Sequence, residues 1–360
     1  MPVLAGLMVL PTLAFAAATP LNDPSQSTAH YKQYKIEDFS DDYYALITPM
    51  SAEDIEAEDS SEVDSIITVI EAKSKRTLIR QTAWIDIKYE LGNSQELGLG
   101  DTISANIVSL PYGEHSVLIY DDFNFDGQKD LAIKDGRYGC YGGTSYEIYL
   151  KEGNTFKYSK DFSELTHGNC GFFNIDEDQK TLHTMTKSGA AWHEYSTYKV
   201  IDNKPVAVQI VEEEYNAGGL ISITESTRIN GKMVVETYDK LPRYQYDDSE
   251  STDTASYIYT FDLANGKKMV LDKDYGTEGD RLYYAFADKD DRIELLYDGQ
   301  FAYDRKNKTL SFTNKPVRYQ VNSQGIKVTL PNKTVFFKSK PGSEQGNLEG
   351  LGQFGNVTVR

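Results

Sequence analysis

The sequence predicts an all-β protein, and three observations carry that expectation. Short runs rich in Val, Ile, Tyr, Phe and Thr recur from end to end, separated by Gly, Asn and Asp. Asn230-Gly231 and Asn265-Gly266 are hairpin signals of the kind that needs positive φ. Only residues 52–62 look helical, and their apolar face is thin. A chain of 360 residues exceeds what one small domain needs, so two domains are expected.

The elements follow in chain order. Residues 1–16 are apolar and uncharged and end in Ala-Phe-Ala, the pattern of a secretory signal peptide too short to span a membrane. No basic n-region precedes this stretch, as expected if the true start lies upstream. No cysteine follows the cleavage region, which argues against a lipid anchor. A soluble exported protein, periplasmic or secreted, is the expectation, with no stable membrane insertion. Residues 17–62 read as an acidic, partly disordered segment. From Glu37 to Asp64 there are eleven Asp or Glu and no Lys or Arg. Such a run is either a solvated segment or a docking surface for a cationic protein. The net charge of −18 excludes nucleic acid as a natural partner, because phosphate contacts need the opposite sign.

A larger β domain is expected over residues 63–245, starting with a hairpin whose turn is Lys73-Ser-Lys75. Within it, Asp122-Phe-Asn-Phe-Asp-Gly-Gln-Lys-Asp130 has the oxygen spacing of a calcium loop. Asp122, Asn124 and Asp126 place side-chain oxygens on alternate residues, Gly127 permits the sharp turn, and the Gln128 carbonyl and Asp130 carboxylate close the set. An EF-hand would carry Glu at the twelfth position, where this chain has Ile133. The flanking apolar runs, residues 117–120 and 131–133, place the loop between buried strands, so calcium would act as a structural staple. The competing reading is an acidic Asx turn in a β-hairpin.

Cys140 and Cys170 are the two cysteines, and in an oxidising compartment a lone pair most simply forms one disulfide. Two buried free thiols are the alternative. Gly139 to Gly143 is glycine-dense and reads as a turn beside that bond rather than a phosphate cradle. Ser188-Gly-Ala-Ala-Trp192, leading into His193-Glu-Tyr195, is either a projecting loop with an aromatic anchor or a turn whose Trp packs inward. No Gly-x-Ser-x-Gly elbow occurs, and His193-Glu194 lacks the second histidine of a zinc-protease helix. A glycosidase pair stays open, since abundant carboxylates carry no geometry by themselves, but a non-enzymatic protein is the expectation and a glycoside hydrolase the least favoured reading. Residues 246–256 interrupt the strand pattern, and after them seven short strands suggest a smaller sandwich or barrel over 256–360.

Three of these stretches together carry a resemblance: Asp121 to Ala132, Gly142 to Leu150, and Asn174-Ile-Asp176 ahead of Lys187 to Trp192. They resemble a family of bacterial periplasmic proteins that includes immunity proteins against peptidoglycan hydrolases and is related to the inhibitors of I-type lysozyme. The resemblance covers about residues 63–240. It implies a propeller-like or sandwich β domain with a calcium loop, and a loop Ser-Gly-x-x-Tyr that enters the target enzyme's cleft. Ser188 and Gly189 match that loop. Trp192 stands where Tyr is expected, keeping an aromatic plug without the phenol hydroxyl, and Tyr195 follows close by. The implied partner is a basic peptidoglycan hydrolase, towards which a charge of −18 would steer association. The alternative function is a calcium-stabilised adhesion or glycan-binding module, for which 26 tyrosines would supply stacking surfaces.

Overall fold

The computed structural model describes residues 32–36, 38–50, 63–90, 102–106, 116–216, 219–242, 257–274 and 280–360. The signal-like stretch, the weakly helical residues 52–62 and the interruption at 246–256 lie outside them. The described chain is built from five sheets, antiparallel except for one strand pair in the last, and no closed barrel is formed among them.

Sheet I is a meander of β1 (Tyr34–Ile36), β2 (Tyr43–Pro49), β3 (Val63–Glu71) and β4 (Thr77–Ile85). Its first two strands fall inside the segment expected to be acidic and partly disordered. Tyr34, Ile36, Ala45 and Ile47 are buried there, and this apolar face recruits the strands despite the acid around them. The β3–β4 hairpin forms where the sequence placed it, with Lys75 at φ 61° in its turn. Sheet II is β5 (Leu118–Asp121), β6 (Asp130–Gly136), β7 (Ser145–Glu152) and β8 (Thr155–Tyr158).

Sheet III holds β9 (Asn174–Asp176), β10 (Thr181–Ser188), β11 (Trp192–Ile201), β12 (Lys204–Tyr215), β13 (Ile221–Ile229) and β14 (Lys232–Lys240) in chain order. Asn230 and Gly231 turn between β13 and β14 with φ of 50° and 79°, as their sequence requires. Sheet IV starts with β15 (Tyr259–Asp262), β16 (Lys268–Asp274), β17 (Arg281–Ala287) and β18 (Ile293–Tyr297). Sheet V starts with β19 (Phe301–Asp304), β20 (Thr309–Asn314), β21 (Val317–Asn322), β22 (Gly325–Thr329) and β23 (Thr334–Lys338). The last two strands lace the pair together: β24 (Gln345–Gly346) returns to β15, and β25 (Val357–Val359) lies parallel to β19. The expected C-terminal sandwich or barrel is thus a sandwich, with more strands than the seven the spacing suggested. At Asn265-Gly266 only Gly266 has positive φ, 83°. The Gly266 N–H returns to the Leu263 carbonyl, so the turn is a longer one closed by a left-handed glycine.

Neighbouring sheets pack on one another through shared apolar cores, and sheets III and IV are also joined by a bridge between Lys240 and Arg292. One core joins sheets I and II through Ile47, Ile67 and Ile85 against Leu118, Leu131 and Ile133. A second joins II and III through Ile119, Ala132 and Ile148 against Leu182. Strands β5 and β6 therefore bury both faces, which explains their continuous rather than alternating apolar runs. Sheet IV is likewise covered twice. Val270 and Tyr283 face Leu220 and Leu241 next to sheet III, while Leu271 and Tyr284 face Leu310 and Phe312 of sheet V. Arg292 adds a polar link from sheet IV to sheet III, reaching Glu236 and stacking 4.1 Å above the Tyr238 ring.

Candidate functional site

The acidic loop connects β5 to β6, whose register pairs Asp121 with Asp130. Phe123 points inward and is fully buried against Phe172 and Phe173, so the loop carries a core residue as well as its acids. Gly127 has φ 85°, which only glycine adopts without strain. The side chains close the loop on its own backbone. Asp122 accepts from the N–H groups of Asp126 (3.1 Å) and Gly127 (2.7 Å), and Asp126 accepts from Gln128 N–H at 2.7 Å. Asn124 accepts from Asp126 N–H at 3.2 Å. Its amide donates to Asp126 (3.1 Å) and, across the interface, to Asn203 of the β11–β12 turn at 2.8 Å.

Asp130 is fully buried and accepts from the N–H groups of Phe123 (2.9 Å) and Lys151 (2.7 Å). Burial pushes its carboxyl up to about 7. The two N–H donors oppose that rise, and the neighbouring Asp126 and Asp122 add to it. Among the described residues no group of three or more His, Cys, Asp or Glu stands around one point as a metal centre. The loop acids are instead turned onto N–H donors. The donor set itself is the kind calcium takes: carboxylates, one amide oxygen and a carbonyl, all hard oxygens.

Cys140 and Cys170 are joined, with Cα atoms 4.8 Å apart, and no free cysteine remains. The bond ties a short 3₁₀ turn (Cys140–Gly142) to the loop ahead of β9. Gly139 is required by close approach. A Cβ there would lie 2.8 Å from the Gly143 carbonyl and 2.9 Å from that of Thr144. The Cys170 segment then runs alongside β10, and the Cys140 segment pairs with it. Cys140 N–H donates to the Asn169 carbonyl at 2.8 Å, and Cys170 N–H to the Met185 carbonyl at 2.7 Å.

The hairpin 188–192 joins β10 to β11 with Ser188 opposite Trp192. Ser188, Gly189, Ala190 and Ala191 are exposed, and Gly189 has φ 65°. Trp192 is half-buried and belongs to none of the buried clusters. Tyr195 does not join it. Strand alternation puts Tyr195 on the other face of sheet III, where it stacks on His193 at 6.5 Å. The neighbour that sequence reasoning missed is Tyr141. Its hydroxyl accepts a hydrogen bond from Gly189 N–H, and Lys187 lies 5.6 Å over its ring. Tyr141 and Tyr138 are 67% and 65% exposed, large values for tyrosine. The disulfide turn and the hairpin tip thus form one exposed rim, joined where Tyr141 meets Gly189. Only the proximity of Cys140 to Tyr141 in sequence hinted at this.

No protein-family model and no curated protein sequence matches the chain. Among solved structures, a Xanthomonas type IV secretion system related protein is similar at 18% identity, with a TM-score of 0.44, over 56% of this chain and 92% of that one. A putative 6-phosphogluconolactonase from Bacteroides uniformis is similar at 7% identity with a TM-score of 0.20, over 88% of this chain and 85% of that one. The periplasmic gluconolactonase of Pseudomonas aeruginosa is similar at 11% identity with a TM-score of 0.18, over 87% and 86%. None of these scores assigns an activity. No helix among the described residues is long and apolar enough to cross a membrane.

Proposed function

We propose that the protein is an exported, periplasmic or secreted inhibitor that blocks a peptidoglycan-degrading enzyme. Its contact surface is the rim formed by the 188–192 hairpin and Tyr141. One observation carries this reading: an exposed four-residue tip is tied at Gly189 to a tyrosine whose own turn is held by a disulfide. A projecting loop fixed before binding loses little conformational freedom on entering a cleft. The charge of −18 supplies attraction towards a basic hydrolase. Calcium in the Asp122 loop, held by Asp122, Asn124, Asp126, the Gln128 carbonyl and Asp130, would neutralise buried negative charge where sheet II meets sheet III. The protein performs no chemistry of its own in this reading.

A cell-wall turbidity assay with a lysozyme-type hydrolase tests it. The wild-type protein should suppress lysis. Trp192→Ala and Tyr141→Ala should each speed dissociation, the former at about 2–4 kcal/mol, without lowering thermal stability. Wild-type inhibition by both variants would remove the rim from the interface. The exposed tyrosines favour a second reading, a glycan-binding module that stacks sugars on Tyr138 and Tyr141. That module would co-sediment with peptidoglycan and leave lysis unchanged.

A further inference from the structure

The C-terminal sandwich is not closed at one edge. Strands β17 and β18 of sheet IV and β21 to β23 of sheet V part there to leave a slot of about 350 Å³. Elsewhere the facing residues of these sheets are fully buried, as at Leu271, Leu310 and Val321. Along the slot Phe286, Leu295, Val328 and Phe337 point inward yet are only partly covered. The slot's size lies within the range of small-molecule sites, and its walls are mostly apolar with a few polar groups.

Three of those polar groups point to a ligand. Tyr284 is 1% exposed and Tyr319 stands beside it, with ring centroids 6.3 Å apart. Both line the slot, and neither hydroxyl has a hydrogen-bond partner among the described residues. Neither hydroxyl is among the fully buried atoms left without a partner, so both open onto the slot and offer a donor to whatever fills it. Burial pushes both phenols up, so at neutral pH each is a protonated donor. The third group is Lys333, in the turn between β22 and β23, which makes no ion pair among the described residues. Glu294 also lines the slot, but Lys267 neutralises it.

We infer that this slot binds a small aromatic acid carrying a second oxygen at the far end of its ring. The ring lies between the Phe286 and Phe337 side, whose centroids are 5.9 Å apart, and the aliphatic wall of Leu295 and Val328. The far oxygen accepts from Tyr284 and Tyr319, and the carboxylate meets Lys333. An aliphatic chain would leave the tyrosine hydroxyls unpaired, and a cation would meet Lys333 unfavourably. The site is separate from the exposed rim on sheet III and does not depend on what that rim binds.

Calorimetric titration of the full chain with 4-hydroxycinnamate tests the inference, with cinnamate and methyl 4-hydroxycinnamate as probes lacking one polar end each. 4-Hydroxycinnamate should saturate one site per chain, and each partial probe should bind at least about tenfold more weakly. Lys333→Glu should weaken the acid about tenfold and leave the ester unchanged. Tyr284→Phe should shrink the preference for 4-hydroxycinnamate over cinnamate. Val328→Trp should fill the slot and abolish binding, with circular dichroism confirming the fold. Should that variant misfold, the exposed Lys333→Glu still decides. Absence of saturable binding, or an unchanged affinity in Lys333→Glu, would overturn the assignment.

Discussion

Between sheets II and III, much of the buried apolar surface is carried by residues outside strands. Phe123 sits in the acidic loop, Phe162 in the short helix α1 (Lys160–Ser163), and Leu165, Phe172 and Phe173 in the segment that follows. Between sheets IV and V the corresponding side chains, such as Phe261, Leu271, Leu282 and Phe312, sit on strands. A strand's backbone is held by its ladder, whereas a loop that buries a side chain must satisfy its polar groups some other way. The II–III interface does this with added links. Asp130 accepts from Phe123 and Lys151, Ser163 from Ile148 N–H at 2.9 Å, Thr166 from Tyr146 N–H at 2.9 Å, and the disulfide fixes the rest. The sandwich obeys the same rule where it departs from strands. Its closing segment buries Leu351 and Phe354, and there Asn356 accepts from Leu282 N–H and donates to the carbonyls of Leu282 and Gly299, at 2.9, 2.9 and 2.8 Å.

If loop-borne cores depend on such links, removing the disulfide should damage one half of the molecule. Replacing both Cys140 and Cys170 with Ser frees a loop with a sequence separation of 30 residues. It should cost about 3–4 kcal/mol in the chain-entropy account. Scanning calorimetry should show the transition of sheets I to III falling in temperature while that of the IV–V sandwich stays in place. A shift shared equally by both halves would break the comparison.

Calcium should sharpen the same contrast. A ligand that binds only the folded state stabilises it by about 2.7 kcal/mol at a hundredfold excess over its dissociation constant. In protein stripped with EDTA, millimolar calcium should therefore raise the first transition and leave the second. Asp126→Ala should abolish the response, because it removes a donor without emptying the core. If the melting curve of stripped protein ignores calcium, the loop is an Asx turn whose acids serve the backbone alone.

The sequence made the strand-borne parts of this architecture legible and the loop-borne parts obscure. The β3–β4 hairpin, the Asn230-Gly231 turn and the apolar runs around the acidic loop follow from period-2 patterning and turn chemistry, which are local. Phe162, Phe172 and Phe173 lie in no periodic run, so nothing local marks them as core. Strands β1 and β2 were hidden because the charge count of the acidic stretch outweighed the few buried apolar positions within and beside it. At the candidate site the acids and cysteines were readable from spacing and number. The contact of Tyr141 with Gly189 was not, since it joins residues 48 apart through a tertiary approach. Within residues 188–195, Tyr195 and Trp192 lie on opposite faces for a simpler reason: an odd separation along a strand changes faces.

The smallest expected effect lies in the sandwich, at Asp272 on β16. Burial pushes its carboxyl up to about 6, opposed by the Lys273 N–H at 2.8 Å and the Lys273 charge. The folded-state value lies above the unfolded one, so the fold favours the protonated form. Its contribution to stability is therefore complete below about pH 4 and is lost as pH rises through about 6. The full shift would be worth about 3 kcal/mol, and screening of this partly exposed group reduces it to about 1–2 kcal/mol. Asp272→Asn keeps the shape and the backbone acceptor while removing the charge. Urea unfolding of this variant should give a flatter stability–pH profile between pH 4 and 7, with a gain near pH 7 confined to the second transition. This dependence should be indifferent to calcium, because Asp272 and the acidic loop sit in different sheets. A pH profile unchanged by Asp272→Asn would show that the strand-borne half carries no strained carboxylate, and would make the contrast with the loop-borne half sharper still.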